Sequence, residues 1–214
     1  MRRNILLASI ITVVLVISGC TNNKNSNEPI INKDAVSNET TTTQENNDLE
    51  KAKIEAEVKE LKAAFQENND LKKPDIEEAR DFEASLRNGS VMMVERDHSK
   101  EREVYNIGNL DKFIESFNNG KEGYVRIIKG MIEHDKFLVN KLDEYETDGK
   151  VIKQLVYDSY ADKNKFIHGR PSYSPRMAKS SPDNSIRYSI LQSKDTPDNM
   201  GATVISFDKS WIKN

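Results

Sequence analysis

Cysteine, histidine and glycine are scarce in this chain of 214 residues, and each shortage excludes a class of function. One cysteine, Cys20, cannot build a disulfide framework or a Cys-rich zinc site. The three histidines, His98, His134 and His168, lie far apart in polar turns without metal-ligand spacing, so no metal site and no cofactor is expected. The nine glycines are scattered and form no phosphate-cradling loop, and no serine sits in a G-x-S-x-G elbow. Neither sign of charge dominates: 32 Lys and Arg face 35 Asp and Glu, a net charge of −3. That balance argues against nucleic acid as a partner, because phosphate-backbone binding needs a basic footprint.

Long apolar runs are also missing, with one short exception. Ile5 to Ile17 is apolar apart from Ser9 and Thr12 and follows the positive start Met1-Arg2-Arg3. A bilayer-spanning helix needs about 20 apolar residues, so this segment fits the h-region of a secretory signal instead. It runs into Ile17-Ser18-Gly19-Cys20. The segment resembles the lipobox of bacterial lipoproteins, in which the cysteine thiol receives a diacylglycerol and the leader is cut between Gly19 and Cys20. Competing readings are a plain signal peptide with an incidental cysteine, and export by a twin-arginine route. Lipidation best accounts for a lone cysteine, and two or more acyl chains hold a protein stably on a membrane. The mature chain would keep 30 basic against 35 acidic side chains, a net charge of −5, so lipid rather than charge would anchor it to the extracytoplasmic face of the cell membrane.

Residues 1–19 are therefore a lipoprotein signal peptide, and 20–47 the lipidated cysteine with a disordered tether. Within 21–47 only Ile30, Ile31 and Val36 are large aliphatics, too few to offset the entropy of ordering the segment. Residues 48–89 read as helical. Asp48 is a helix N-cap, and Ile54, Val58, Leu61 and Phe65 recur at helical spacing. A second helix would run from Pro74 to Leu86 and close at Asn88-Gly89. The stripe is short for a partner-binding coiled coil, so packing on the rest of the protein is favoured.

Residues 90–214 read as an α+β domain. After Glu103, 27 of 111 residues are Val, Ile, Leu or Phe, a composition that supports a packed core. Strands are expected at 90–95 and 102–107 around a turn at 97–100. A helix at 110–117 would be capped by Asn109 and ended by Asn118-Asn119-Gly120. Strands follow from Val125, at 137–145, at 151–160, through Ile186, Tyr188 and Ile190, and at 203–207. Asp148-Gly149 reads as a two-residue type I′ hairpin turn. The expected architecture is α+β: N-terminal helices, then a helix followed by an antiparallel β-meander covered on one face.

Tyr105-Asn106-Ile107-Gly108-Asn109-Leu110, Gly120-Lys121, Val125-Arg126-Ile127-Ile128, Glu133-His134-Asp135, Asp148-Gly149-Lys150 and Tyr157-Asp158 form a recurring pattern. It resembles the domain of unknown function 4362 family of Gram-positive lipoproteins over roughly the second half of the chain. His134 stands where the family often has glycine, and a cysteine near the end of some members is absent, so no role for it carries over. The resemblance implies a lipoprotein setting and no established activity.

Candidate chemistry is sparse. Asp158 to Asn164 carries oxygen ligands faintly like a calcium loop, but Lys163 replaces the sixth-position glycine and Gly169 the bidentate acid. Residues 163–183 concentrate Arg170, Arg176 and Lys179 near Tyr173, a candidate binding loop for an anionic polymer or a cell-envelope protein. The competing reading is an ordinary solvated loop. The leading function is a membrane-anchored, non-catalytic binding or accessory module of the envelope. Alternatives are an envelope enzyme, with Glu133 and Asp135 as a pair of turn carboxylates, and an inhibitor-like domain acting on an exported partner. No residue is assigned as catalytic.

Overall fold

The computed structural model describes residues 39–96, 102–162 and 165–213, with side chains from Asp48 onward. The signal segment, Cys20, most of the tether and the turn at 97–100 lie outside these residues.

Helix α1 spans Glu39–Ala64 and so begins upstream of Asp48, within the stretch expected to be disordered. No glycine or proline interrupts 39–47, and once a helix is nucleated each added residue gains one hydrogen bond for one ordered residue. Leu61 is buried on its inner face, with Ile54 and Val58 half-buried beside it. Just past its end, the Phe65 ring packs 5.7 Å from Tyr173.

The single helix expected from Pro74 divides in two. A 3₁₀ turn, Ile76–Arg80, is capped by Asp75, whose side chain accepts from the Glu77 N–H. Helix α2, Phe82–Arg87, is capped by Asp81 at φ −104° and ψ 117°, accepting from the Ala84 N–H. Asp81 breaks the run because its short carboxylate bonds the next turn's backbone more readily than it continues a helix. Gly89 then turns the chain at φ +82°.

Strand β1, Val91–Arg96, pairs antiparallel with β2, Arg102–Tyr105. Asn106, at φ +57°, turns the chain into α3, Gly108–Asn118. Asn109 does not cap α3; Ile107 occupies that position, and Asn109 Nδ2 donates to the Gly89 carbonyl at 2.8 Å, tying α3 to the end of α2. Strand β3, Gly123–Glu133, then returns parallel to β1. That crossover makes the sheet mixed rather than an antiparallel meander.

The long β3–β4 hairpin continues into Lys136–Thr147. Its two-residue turn is His134-Asp135, both left-handed at φ +48° and +61°, as a type I′ turn requires. Asp148-Gly149 is not such a turn. Thr147 pairs with Ile152 at the start of β5, Ile152–Asp158, leaving a four-residue loop in which Gly149 alone has positive φ. Asp148 Oδ1 holds that loop by accepting from the N–H groups of Lys150 and Val151. Two short strands, β6 (Ile167–His168) and β7 (Ser172–Ser174), share the outer edge of β5. The first sheet therefore runs β2-β1-β3-β4-β5, extended by β6 and β7.

A second, antiparallel sheet is built from β8 (Arg176–Ser180), β9 (Ser185–Leu191) and β10 (Ala202–Asp208) in the order β10-β9-β8. Together with α3 it covers one face of the first sheet. Val91, Val125, Ile127, Tyr145 and Ile152 meet Leu110, Phe113, Tyr188, Ile205 and Phe207 there. The opposite face is covered as well. Met92, Val94, Ile128 and Leu142 pack under Ala79 of the 3₁₀ turn, Phe82 and Leu86 of α2, and Phe166. The α+β class holds, but the sheet is covered on both faces, because strands with inward residues on each side need two covering layers.

Candidate functional site

Alternation along β3 sends Val125 and Ile127 to one core and Tyr124, Arg126 and Ile128 to the other face. On β4, Glu144 lies directly opposite Arg126 and Glu146 opposite Tyr124. The register thus places a cation, two carboxylates and a phenol on one patch of sheet, and the layer carrying α2 buries them. Arg126 and Glu144 side chains are 1% and 6% exposed and bond at 2.8 Å.

All three nitrogens of Arg126 find acceptors. Nε donates to Glu144 and to the Tyr124 hydroxyl, Nη1 to the Asp75 carbonyl at 2.8 Å, and Nη2 to the Pro74 carbonyl at 2.7 Å as well as to Glu144. Glu144 also accepts from the hydroxyls of Tyr124 and Tyr157. Burial, followed by the Glu144 charge, pushes the Tyr124 phenol far above its ordinary value, so it stays a neutral donor. Tyr157 is raised by burial and by its bond to Glu144. Burial pulls the Arg126 guanidinium down, but Tyr124 and Glu144 beside it outweigh this and leave it above the usual arginine range. The cluster is a clasp that pins the backbone entering the 3₁₀ turn onto the sheet.

Beside it Glu146 is bridged by Lys73 at 2.6 Å and approached by Lys153 at 3.8 Å. Lys153 bonds Glu67 at 2.5 Å, and that hydrogen bond and charge hold the Glu67 carboxyl below its usual range. These contacts fasten residues 67–75 along the sheet.

An open groove of about 490 Å³ is left between this segment and α3. Lys72, Lys73 and Pro74 form one wall, and Asn109, Lys112, Phe113 and Ser116 of α3 the other. Glu78, Asn88, Gly89 and Ser90 close one side, and Tyr124, Val125 and Arg126 line the floor. Lys72 and Lys112 are exposed and make no ion pair among the described residues. The acid adjacent to Lys112 does not compensate it, because Asp111 turns to the second sheet, pairing with Lys179 at 2.8 Å and accepting from the Tyr188 hydroxyl.

The chain matches no family model, no curated protein and no solved structure. Among the described residues, no helix is long and apolar enough to cross a membrane.

The residues singled out in the sequence fare differently. Gly19 and Cys20 lie outside the described residues. Residues 165–183 are not one irregular loop but carry β6, β7 and the whole of β8. Arg170 is exposed between β6 and β7, whereas Tyr173 packs on Phe65. Arg176 pairs with Asp198 and donates to the Thr196 carbonyl, and Lys179 is committed to Asp111. Two of the three cations thus satisfy structural carboxylates instead of presenting charge together. Asp158 Oδ1 accepts from the N–H groups of Tyr160 and Ala161, which spends it on a turn. Among the described residues, no three His, Cys, Asp or Glu side chains are grouped to hold a metal. Glu133 and Asp135 flank the left-handed His134 at the tip of the β3–β4 hairpin.

Sequence reasoning missed Lys72, Lys112, Arg126 and Glu144. The available signal was Arg126 between Val125 and Ile127-Ile128, a full charge inside a strand apolar enough to be buried on both faces.

Proposed function

We propose that this chain is a lipid-anchored, extracytoplasmic, non-catalytic binding module of the cell envelope that holds an anionic ligand in the groove between Lys72–Lys73 and α3. One observation carries the reading: in an acidic protein, Lys72 and Lys112 are exposed and line one concavity from two different elements, with no acid of the described residues paired to either. Surface lysines usually sit among mixed charges. Two that converge without partners keep charge available for a ligand. The leader ending at Gly19-Cys20 supports the anchored setting. A non-catalytic role is supported by the engagement of the buried Glu144 carboxylate, which Arg126 and two tyrosines already occupy.

The test has two arms. Mass spectrometry of protein made in its natural host should find a diacylated Cys20 as the first residue; an uncut leader or a free thiol refutes the anchored setting. Titration of the mature chain carrying Cys20→Ser with soluble polyanions should show binding that weakens as salt rises, because exposed lysines are screened. Failure of every polyanion to bind refutes the groove.

A further inference from the structure

Resting on that reading, we infer that the groove takes a hydroxylated phosphodiester chain, a polyol or sugar phosphate polymer, in preference to a polycarboxylate. The charge inventory of the groove argues for this ligand. Arg126 is neutralised by Glu144, and Lys73 shares Glu146 with Lys153, which Glu67 balances in turn. Lys72 and Lys112 remain against the single carboxylate of Glu78, so the open groove carries a small positive excess. A phosphodiester has one negative charge per repeat and suits that excess. A terminal phosphate with nearly two charges, or closely spaced carboxylates, would meet repulsion from Glu78.

Donor geometry points the same way. A guanidinium fork reads a carboxylate bidentately, but each of the three Arg126 nitrogens already donates to Glu144, Tyr124 or a backbone carbonyl. The free cations are lysine ammoniums, compact point charges that suit a tetrahedral phosphate from either side. The Glu78 carboxylate accepts from Asn88 Nδ2 at 3.0 Å and retains lone pairs for ligand hydroxyls. Phe113 and Pro74 offer apolar surface to the carbon backbone between phosphates.

Phospholipid headgroups share the phosphodiester. A polymer is favoured over a bilayer because the charges line a concavity rather than a flat or convex face. The large exposed apolar residues that would insert into a membrane, among them Leu138, Val156, Tyr160 and Met200, belong to other parts of the molecule and none lines this groove.

The experiment is a calorimetric titration of the mature Cys20→Ser chain with poly(glycerol phosphate), with polyglutamate of equal charge number, and with phosphatidylglycerol vesicles. Poly(glycerol phosphate) should bind most tightly. Lys72→Gln with Lys112→Gln should weaken it about tenfold or more, as loss of charge-assisted contacts predicts, while Lys136→Gln with Lys150→Gln, an equal charge change elsewhere, should not. Both lysines are exposed, so the variant should keep the parent's thermal midpoint. Polyglutamate binding as tightly as the phosphate polymer, and losing as much in the groove variant, would overturn the phosphodiester assignment and leave the anionic groove standing. Vesicle binding without polymer binding would replace the polymer by a membrane surface. Polymer binding indifferent to the groove variant would overturn the site, and no binding of any probe would overturn the proposed function with it.

Discussion

Replacing Arg126 by Met tests the clasp most directly. The substitution keeps a long apolar stem but removes a cation that is 1% exposed, leaving Glu144, itself 6% exposed, with only the hydroxyls of Tyr124 and Tyr157. Breaking a buried pair by deleting one partner costs about 3–5 kcal/mol, since the surviving charge remains desolvated. The carbonyls of Pro74 and Asp75 also lose their donors, each worth about 1 kcal/mol if no water replaces them. These losses overlap, so about 3–5 kcal/mol is the expected total, a fall in thermal midpoint of roughly 6–20 °C for a domain of this size. Urea unfolding at neutral pH measures the first quantity and calorimetry the second. Removing both charges, as Arg126→Met with Glu144→Met, should cost clearly less than the sum of the single changes, because no uncompensated ion remains. The single variant should also be nicked faster by trypsin after Lys72, whose segment loses its hold on the sheet. A loss below about 1 kcal/mol for Arg126→Met, the level of a surface pair, or a double variant as damaging as the sum, would refute the clasp.

Gly149→Ala should destabilise by at least about 2 kcal/mol, because φ is +83° and the new Cβ would lie 2.3 Å from the Gly120 backbone; an unchanged urea midpoint would contradict that packing. Asp143 is fully buried, with Lys141 Nζ 3.2 Å from Oδ2 in poor hydrogen-bond alignment, and burial raises its carboxyl pKa despite that charge. The folded state therefore holds this proton more tightly than the unfolded chain, so stability from this group falls as pH rises from 3.8 through the raised value. Asp143→Asn should be more stable than the parent at neutral pH and lose that advantage on acidification, as urea midpoints between pH 4 and 7 would reveal; the opposite trend would mean that Lys141 and Lys129 dominate. Glu67, held low by Lys153, behaves in the other sense: its pairing is complete above 4.5 and is lost as pH falls through the lowered value. Phe65→Ala should release α1 without unfolding the sheets, raising amide exchange across residues 50–64 while the global midpoint moves by about 1 kcal/mol or less; a global loss of several kcal/mol would show that α1 belongs to the core.

The local chemistry of this chain was legible wherever one residue type decides the backbone. Gly89 and Gly120 end their helices with positive φ as their positions imply, and the alternation of Ile186, Tyr188 and Ile190 marks β9. Turn type was harder to read. Asp148-Gly149 carries the stronger hairpin signature, yet the left-handed pair is His134-Asp135, because the register of the long β3–β4 hairpin sets where the chain must reverse and a strained φ is accepted there. Asn109 departs from its expected capping role for a related reason: its amide bridges to Gly89, where two elements meet, and Ile107 stands at the cap.

The site was hidden by the same non-local logic. A run of cations such as Arg170, Arg176 and Lys179 attracts attention because it is dense in sequence. In strands, density is a poor guide, since successive residues leave on opposite faces and each can meet an acid from another element, as Asp198 and Asp111 show. Lys72 and Lys112 look unremarkable in sequence because each sits in an ordinary polar stretch. They face one groove only because the crossover from β1 to β3 lays α3 beside the segment that Arg126 pins. It follows that the groove depends on the clasp. Arg126→Met should weaken ligand binding even if none of its atoms touches the ligand, whereas Lys112→Gln should weaken binding with no loss of stability. Loss of binding in both variants, with loss of stability in the first alone, is the pattern that a pinned wall predicts.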